Sequence, residues 1–255
     1  LTELIIAFLF GTIIGSFLNV CIYRIPKGES VIFPPSHCPN CKTPIKWHDN
    51  IPIISYLLLK GKCRNCGSPI SKQYPTVELT TGLLTSLLVY KFGTSLSTIY
   101  YAVFTYSLIV ISLIDLKTML VPVKLCYFTM LLGILLSPFI PQITFKDSLL
   151  GASFGAGIIL FIIETYYILT GKEGMGYGDA NIMAVVGAFL GWEKVLVTLF
   201  LSSLIGSILG IIYTKVKKGN LKTAIPFGPF ISLGAVATLF FGNKIINWYL
   251  GGLFK

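Results

Sequence analysis

An all-α polytopic membrane protein is the fold class this sequence predicts, and three observations predict it. Apolar residues make up 54% of the 255 and charged ones only 12%, with a mean hydropathy of +0.80. The apolar residues gather in runs approaching the roughly 20 positions that a helix needs to cross a bilayer. One polar, cysteine-bearing stretch interrupts them. About eight transmembrane helices are expected, near 3–23, 76–91, 97–114, 123–140, 148–169, 181–192, 195–213 and 228–250. The second and sixth are short, so they need flanking residues or a thinned, tilted crossing. The first opens with the acid Glu3, and its basic residues, Arg24 and Lys27, follow the apolar run, which fits a retained helix better than a cleaved leader. The chain then divides into a first helix (1–23), a polar module (24–75) and a helical membrane domain (76–255).

Lysine and arginine placement orients these helices. Eight basic residues lie in 24–75, and Lys117, Lys124, Lys172, Lys215, Lys217, Lys218 and Lys222 fall on the same side of an eight-helix arrangement. The opposite side keeps Lys91, Lys146, Lys194, Lys244 and Lys255. The amino terminus is therefore expected outside, with the polar module, Asp115 and Asp179 cytoplasmic. The net charge of +10 suits contact with an anionic lipid bilayer. Nucleic-acid binding is not expected, because no soluble module interleaves basic residues with aromatics.

The polar module holds Cys38-Pro-Asn-Cys41 and Cys63-Arg-Asn-Cys66, two C-x-x-C pairs separated by residues 42–62. Four thiolates so paired suit tetrahedral zinc in a small zinc-ribbon-like insertion, and Gly67 permits the tight turn of a knuckle. A segment with few large apolar side chains needs such a metal as folding energy. The alternatives are disulfides, which a reducing compartment disfavours, or free thiols. A site with four cysteine ligands leaves no open position, so the zinc is structural. His37 and His48 are read as surface residues, and Cys21 and Cys126 as small core residues.

Two acids stand out from the apolar background. Asp115 closes the run Ser107–Asp115, and Asp179 closes the glycine-rich turn Gly174-Met-Gly-Tyr-Gly-Asp179. Carboxylates at such depth are costly and mark functional sites by default. The topology sets both at one membrane face. If they meet around a water molecule they share a proton, one activating the water and the other protonating a scissile carbonyl. Helix dipoles assign the base to Asp179, at a helix amino terminus, and the acid to Asp115, at a carboxy terminus. The plainer reading is helix capping, which suits Asp179 but not Asp115. Glu164, another acid in an apolar run, is read as snorkelling or paired with a lysine.

These residues sit in stretches that together resemble the prepilin peptidases, or type IV leader peptidases, over nearly the whole chain. They are Gly15-Ser-Phe-Leu-Asn-Val-Cys-Ile-Tyr-Arg-Ile-Pro26, Ser36-His-Cys-Pro-Asn-Cys41, Asp49-Asn-Ile-Pro52, Gly61-Lys-Cys-Arg-Asn-Cys66, Tyr74-Pro-Thr-Val-Glu78, Ile114-Asp115, Gly174–Asp179, Gly187-Ala-Phe-Leu-Gly191 and Pro226-Phe-Gly-Pro229. The resemblance implies a multi-pass enzyme of the bacterial inner membrane, serving type IV pilus biogenesis or protein secretion. It implies cleavage of the basic leader of prepilin or pseudopilin precursors at the cytoplasmic face, with Asp115 and Asp179 catalytic. It further implies methylation of the new amine with S-adenosylmethionine, for which Arg24, Asp49, Asn50 and Glu78 are candidates. Glu29, Asp49, Glu78 and Glu173 are candidate receivers of the basic leader. The chain departs from the family at Lys117, Val123 and Asn181, where acids, or after the second aspartate a lysine, are common. The competing reading from another class is a proton- or cation-coupled transporter that uses Asp115 and Asp179 as a relay; a third is a non-catalytic assembly platform.

Overall fold

The computed structural model describes residues 1–172, 174–217 and 225–253, and the chain divides into two compact units, Leu1–Val110 and Ile111–Lys255. Glu173, Lys218, Lys222 and Lys255, each invoked from the sequence, lie outside the described residues. Those residues are helical with no sheet. The helices are α1 (Thr2–Arg24), α2 (Ile54–Leu58), α3 (Gln73–Phe92), α4 (Leu96–Thr118), α5 (Val123–Leu136), α6 (Phe145–Thr170), α7 (Tyr177–Leu190), α8 (Trp192–Lys217) and α9 (Gly228–Leu253).

All eight expected membrane runs are helices, but eight crossings are not borne out. By length and composition five helices can cross a bilayer: Thr2–Lys27, Leu96–Thr118, Phe145–Thr170, Trp192–Ile212 and Gly228–Tyr249. α5, carried on to Phe139, and α7 are apolar but shorter, while α3 is diluted by Glu78 and the polar residues Thr76, Thr80, Thr81, Thr85 and Ser86. Large apolar side chains such as Phe10, Phe128, Phe161 and Phe200 point outward, as expected where the solvent is lipid. Association in lipid has no hydrophobic drive and rests on close packing and interhelical hydrogen bonds.

In the first unit, α1 and α3 run antiparallel with their backbones nearly touching. A Cβ on Gly15 would sit 2.7 Å from Glu78 Cα, and one on Gly11 would sit 2.9 Å from Gly82 Cα. Polar clamps bind both ends of the pair. Ser86 Oγ donates to the Leu4 carbonyl at 3.0 Å. At the other end Asn19 Nδ2 donates to the Tyr74 carbonyl at 3.1 Å, and Asn19 Oδ1 accepts from Gln73 Nε2 at 3.1 Å.

In the second unit α7 is the central helix. It is buried from Ile182 to Leu190 on every side, which is why its sequence is apolar all round. α6 packs antiparallel to it along a seam of small residues: a Cβ on Gly151 would strike the Gly187 carbonyl, and one on Gly155 would strike that of Met183. Ser148 Oγ donates to the Ala188 carbonyl at 2.6 Å along the same seam. α7 starts four residues earlier than the apolar run suggests. Tyr177 and Gly178 carry the helix back over the turn, so Asp179 is its third residue rather than a residue preceding it.

Candidate functional site

The two aspartates come from opposite helix ends. α4 continues one turn past the apolar run and stops where Met119 takes a left-handed φ of 54°, its N–H bonding to the Asp115 carbonyl at 2.8 Å. Asp115 is thereby held in the last turn, 5% exposed, with its carboxylate facing the N–H of Gly228 at the start of α9. Asp179 is 6% exposed, and its carboxylate reaches back to the N–H of Gly176, the amino-terminal cap residue of α7. Asp179 is the third residue of α7, and its own N–H donates to the Gly176 carbonyl at 3.1 Å. The Asp115 carboxylate lies beside α7 at Ile182, one turn beyond Asp179.

Glycines shape this site by leaving room. A Cβ on Gly228 would lie 2.5 Å from Asp115 Oδ2 and 2.8 Å from Ile182 Cδ1. A Cβ on Gly178 would lie 2.6 Å from Val121 Cγ2, in the loop that follows α4. Three elements, the ends of α4, α7 and α9, are thus drawn together at residues with no side chain. Gly228 lies in the Pro226-Phe-Gly-Pro229 stretch, and the sequence offers no signal that its N–H is directed at Asp115. Of the divergent positions, Asn181 donates to the Tyr177 carbonyl at 3.5 Å within α7. Glu164, expected to snorkel or meet a lysine, accepts from the Tyr177 hydroxyl at 2.9 Å.

The four module cysteines converge, with all their sulfurs within 4.8 Å of one another. Zinc–sulfur bonds of about 2.3 Å in a tetrahedron put sulfurs about 3.8 Å apart, and Cys38 Sγ and Cys66 Sγ are 3.8 Å apart. The donor set therefore fits zinc. The cage is a doubled motif: Cys38-Pro-Asn-Cys-Lys-Thr-Pro-Ile45 and Cys63-Arg-Asn-Cys-Gly-Ser-Pro-Ile70 fold alike. In each, the first cysteine's N–H bonds the carbonyl five residues on, Cys38 to Thr43 at 3.0 Å and Cys63 to Ser68 at 2.8 Å. The knuckle turn has a left-handed residue in both, Gly67 at φ 70° and Lys42 at φ 58°. The asparagines are exchanged across the cage: Asn65 Nδ2 donates to Cys41 Sγ at 3.6 Å, and Asn40 Nδ2 to Cys66 Sγ at 3.8 Å. Hydrogen bonds with Thr43, then Asn65, bring the Cys41 thiol down to about 5, toward the thiolate that a metal requires. This repeat is legible in the sequence once the knuckles are aligned beyond their cysteines. His37 stays outside the cage, its Nδ1 3.1 Å from the Pro35 carbonyl. Cys21 and Cys126 are buried.

The four methyl-donor candidates have different surroundings. Arg24 is buried and donates to the carbonyls of Ser30 at 2.9 Å and Pro34 at 2.6 Å, pinning the stretch of chain that leaves α1. Glu78, a candidate for both the methyl donor and the basic leader, is buried. Its Oε2 accepts the N–H of Ile53 at 2.7 Å. Ile53 has φ 62°, rare for a β-branched residue, and Glu78 helps to hold it. Asp49 is gripped by Arg64 of the second knuckle through bonds of 2.7 to 3.0 Å, and the guanidinium keeps its carboxyl below the usual range. Asn50 is exposed beside it. The turn carrying Asp49 and Asn50 is thus held between the cysteine cage and α3.

Fold and site define a helical membrane protein with a buried pair of carboxylates in one unit and a four-thiolate cage in the other. The comparisons with known proteins agree. Residues 9–92 match the bacterial peptidase A24 N-terminal domain, and residues 102–211 match the type IV leader peptidase family. Proteins called prepilin leader peptidase/N-methyltransferase are similar along their length. That of Pseudomonas aeruginosa is 36% identical over 95% of this chain and 91% of its own. That of Aeromonas hydrophila is 36% identical over 96% and 93%, and that of Legionella pneumophila 34% over 95% and 93%. No solved structure gave a significant match. The chain belongs to the type IV leader peptidase family. Membership favours the peptidase over the proton or cation relay.

Proposed function

We propose that this chain is an intramembrane aspartic endopeptidase that removes the leader of type IV prepilin-like precursors and then methylates the new amino terminus. The observation that carries the proposal is the buried Asp115 carboxylate at the end of α4, which lies beside α7 one turn from the buried Asp179. It occurs in a chain similar over most of its length to proteins called prepilin leader peptidase/N-methyltransferase. The precursor, in this reading, has a short basic leader ahead of an apolar helix that anchors it in the same membrane.

Asp179, in the first turn of α7, is the base in this reading, because the dipole at that helix end favours its negative charge. It takes a proton from a water molecule as the water oxygen bonds to the carbonyl carbon at the leader junction. Asp115, in the last turn of α4, gives its proton to the carbonyl oxygen, and the Gly228 N–H fixes its orientation. The tetrahedral species then collapses, the C–N bond breaks, and the leaving amine takes up a proton from the pair.

Methyl transfer belongs to the other unit. S-adenosylmethionine would supply an electrophilic methyl group there, and the neutral amine would be its acceptor. Asp49 and Asn50 stand on the exposed turn as donor-binding residues, with Arg24 and Glu78 holding the backbone on either side. Cys38, Cys41, Cys63 and Cys66 would hold a structural zinc that stiffens the turn through Arg64. The excess of lysine and arginine in 24–75 supports a cytoplasmic position for this module, with the amino terminus outside the inner membrane. Mass spectrometry of a co-expressed prepilin tests the whole reading. The wild-type chain is expected to yield a shortened, methylated product, and Asp115→Asn and Asp179→Asn each to leave the precursor whole. Full cleavage by either variant refutes the dyad.

A further inference from the structure

α7 has two working faces. Asp179 and Ile182 turn toward Asp115 and Gly228, whereas Tyr177, Ala180, Asn181 and Ala184 recur at helical spacing on the opposite side. There they form one wall of a groove of about 510 Å³ between α5, α6 and α7, within the range of about 300–1,000 Å³ common for binding clefts. Its other walls are apolar or small, with Met130 on α5 and Ala152 and Ala156 on α6. From Leu149 to Leu160, at about 1.5 Å per residue, the groove extends about 16 Å, or three helical turns. Small residues along such a wall let a second helix backbone approach closely in lipid. Glu164, one turn beyond Leu160, stands at the mouth and accepts the Tyr177 hydroxyl, so the groove is apolar along its body and acidic at the α7 amino-terminal end.

We infer that this groove seats the apolar helix of the precursor, a deepening that rests on the leader-peptidase reading above. Its polarity matches that substrate: an apolar helix lies against α5, α6 and α7, and the basic leader emerges past Glu164. The chain between helix and leader then crosses the amino-terminal rim of α7 at Gly176 to reach the carboxylates. Gly176 suits that crossing. Its φ of −82° is open to any residue, and a Cβ there would meet nothing nearer than Gly178 N at 3.9 Å, so neither packing nor backbone angle demands a glycine. A bare rim lets another backbone pass close to Asp179.

A photo-crosslinking residue placed at Ala156 or Asn181 in the full-length Asp179→Asn protein, which retains uncleaved precursor, tests the docking directly. Crosslinks are expected to map to the apolar segment of a co-expressed prepilin, with none from Phe200 on α8. In otherwise wild-type protein, Ala156→Phe and Ser153→Trp, at positions not fully buried, are expected to raise KM for the precursor about tenfold with kcat kept, and Glu164→Lys to raise it further. Labelling of lipid alone, or groove variants with unchanged KM beside a wild-type protein that cleaves, overturns the groove but leaves the peptidase standing. A wild-type protein that cleaves no precursor overturns both.

Discussion

Gly228→Ala is expected to disable the paired carboxylates without altering any carboxylate. The added methyl carbon would stand 2.5 Å from Asp115 Oδ2 and 2.8 Å from Ile182 Cδ1, where ordinary van der Waals contact begins at 3.4 Å. Relief therefore requires a displacement of nearly 1 Å, and α9 cannot simply slide away, because its backbone is packed closely on α8 at Gly234, where a Cβ would lie 2.9 Å from Ser202 N and 3.0 Å from the Thr198 carbonyl oxygen. The softer response is a rotation of the Asp115 carboxylate away from the Gly228 N–H and from Asp179. A misplacement of about 1 Å at reacting groups costs on the order of 100-fold in rate, or about 2.7 kcal/mol. The expected outcome is a loss of about that size in kcat for prepilin cleavage, with KM nearly unchanged. Gly157→Ala is the control, since a Cβ on that α6 glycine meets no atom within 4 Å. Wild-type kcat in Gly228→Ala would refute the idea that this glycine exists to admit Asp115.

Asn40→Ala combined with Asn65→Ala is expected to weaken zinc binding about 10- to 100-fold in a chelator competition, because each removes a hydrogen bond across the cage to a cysteine sulfur; unchanged affinity would make the exchange incidental. Arg64 holds the Asp49 carboxyl below its unfolded value of about 3.9. The stabilisation from this pair is therefore complete above about pH 4 and is lost as pH falls through the lowered folded value. In Arg64→Ala, NMR titration is expected to return Asp49 toward about 3.9, and no movement would dissolve the link between cage and turn. Gly151→Ala drives a Cβ onto the Gly187 carbonyl and is expected to destabilise the second unit by about 1–3 kcal/mol, measured by thermal unfolding in detergent.

Much of this protein is legible along the chain because the relevant signals are local. Apolar runs mark all eight long helices, and the two C-x-x-C pairs mark a cage whose sulfurs converge. The boundary of α7 is less legible, for a local reason as well: Tyr177 and Gly178 look like turn residues, yet once the Asp179 N–H bonds the Gly176 carbonyl they close the first helical turn. Glu78 escapes a reading along the chain for a different reason. Its partner, the N–H of Ile53, lies 25 residues away in a segment without regular pattern.

The sequence by itself determined the membrane class, the four thiol ligands and two acids too costly to be idle, since composition and spacing alone carry those facts. Only the tertiary structure decided that the Asp115 carboxylate lies beside α7 a turn from Asp179, that Gly228 is bare to admit it, and that Asn40 and Asn65 serve each other's knuckle. The physical reason is directional. Hydropathy reports how much of a helix avoids water, but not which of its faces meets which neighbour. In this chain several close meetings occur at glycines such as Gly15 and Gly151, where a Cβ would come within 3 Å of the facing helix.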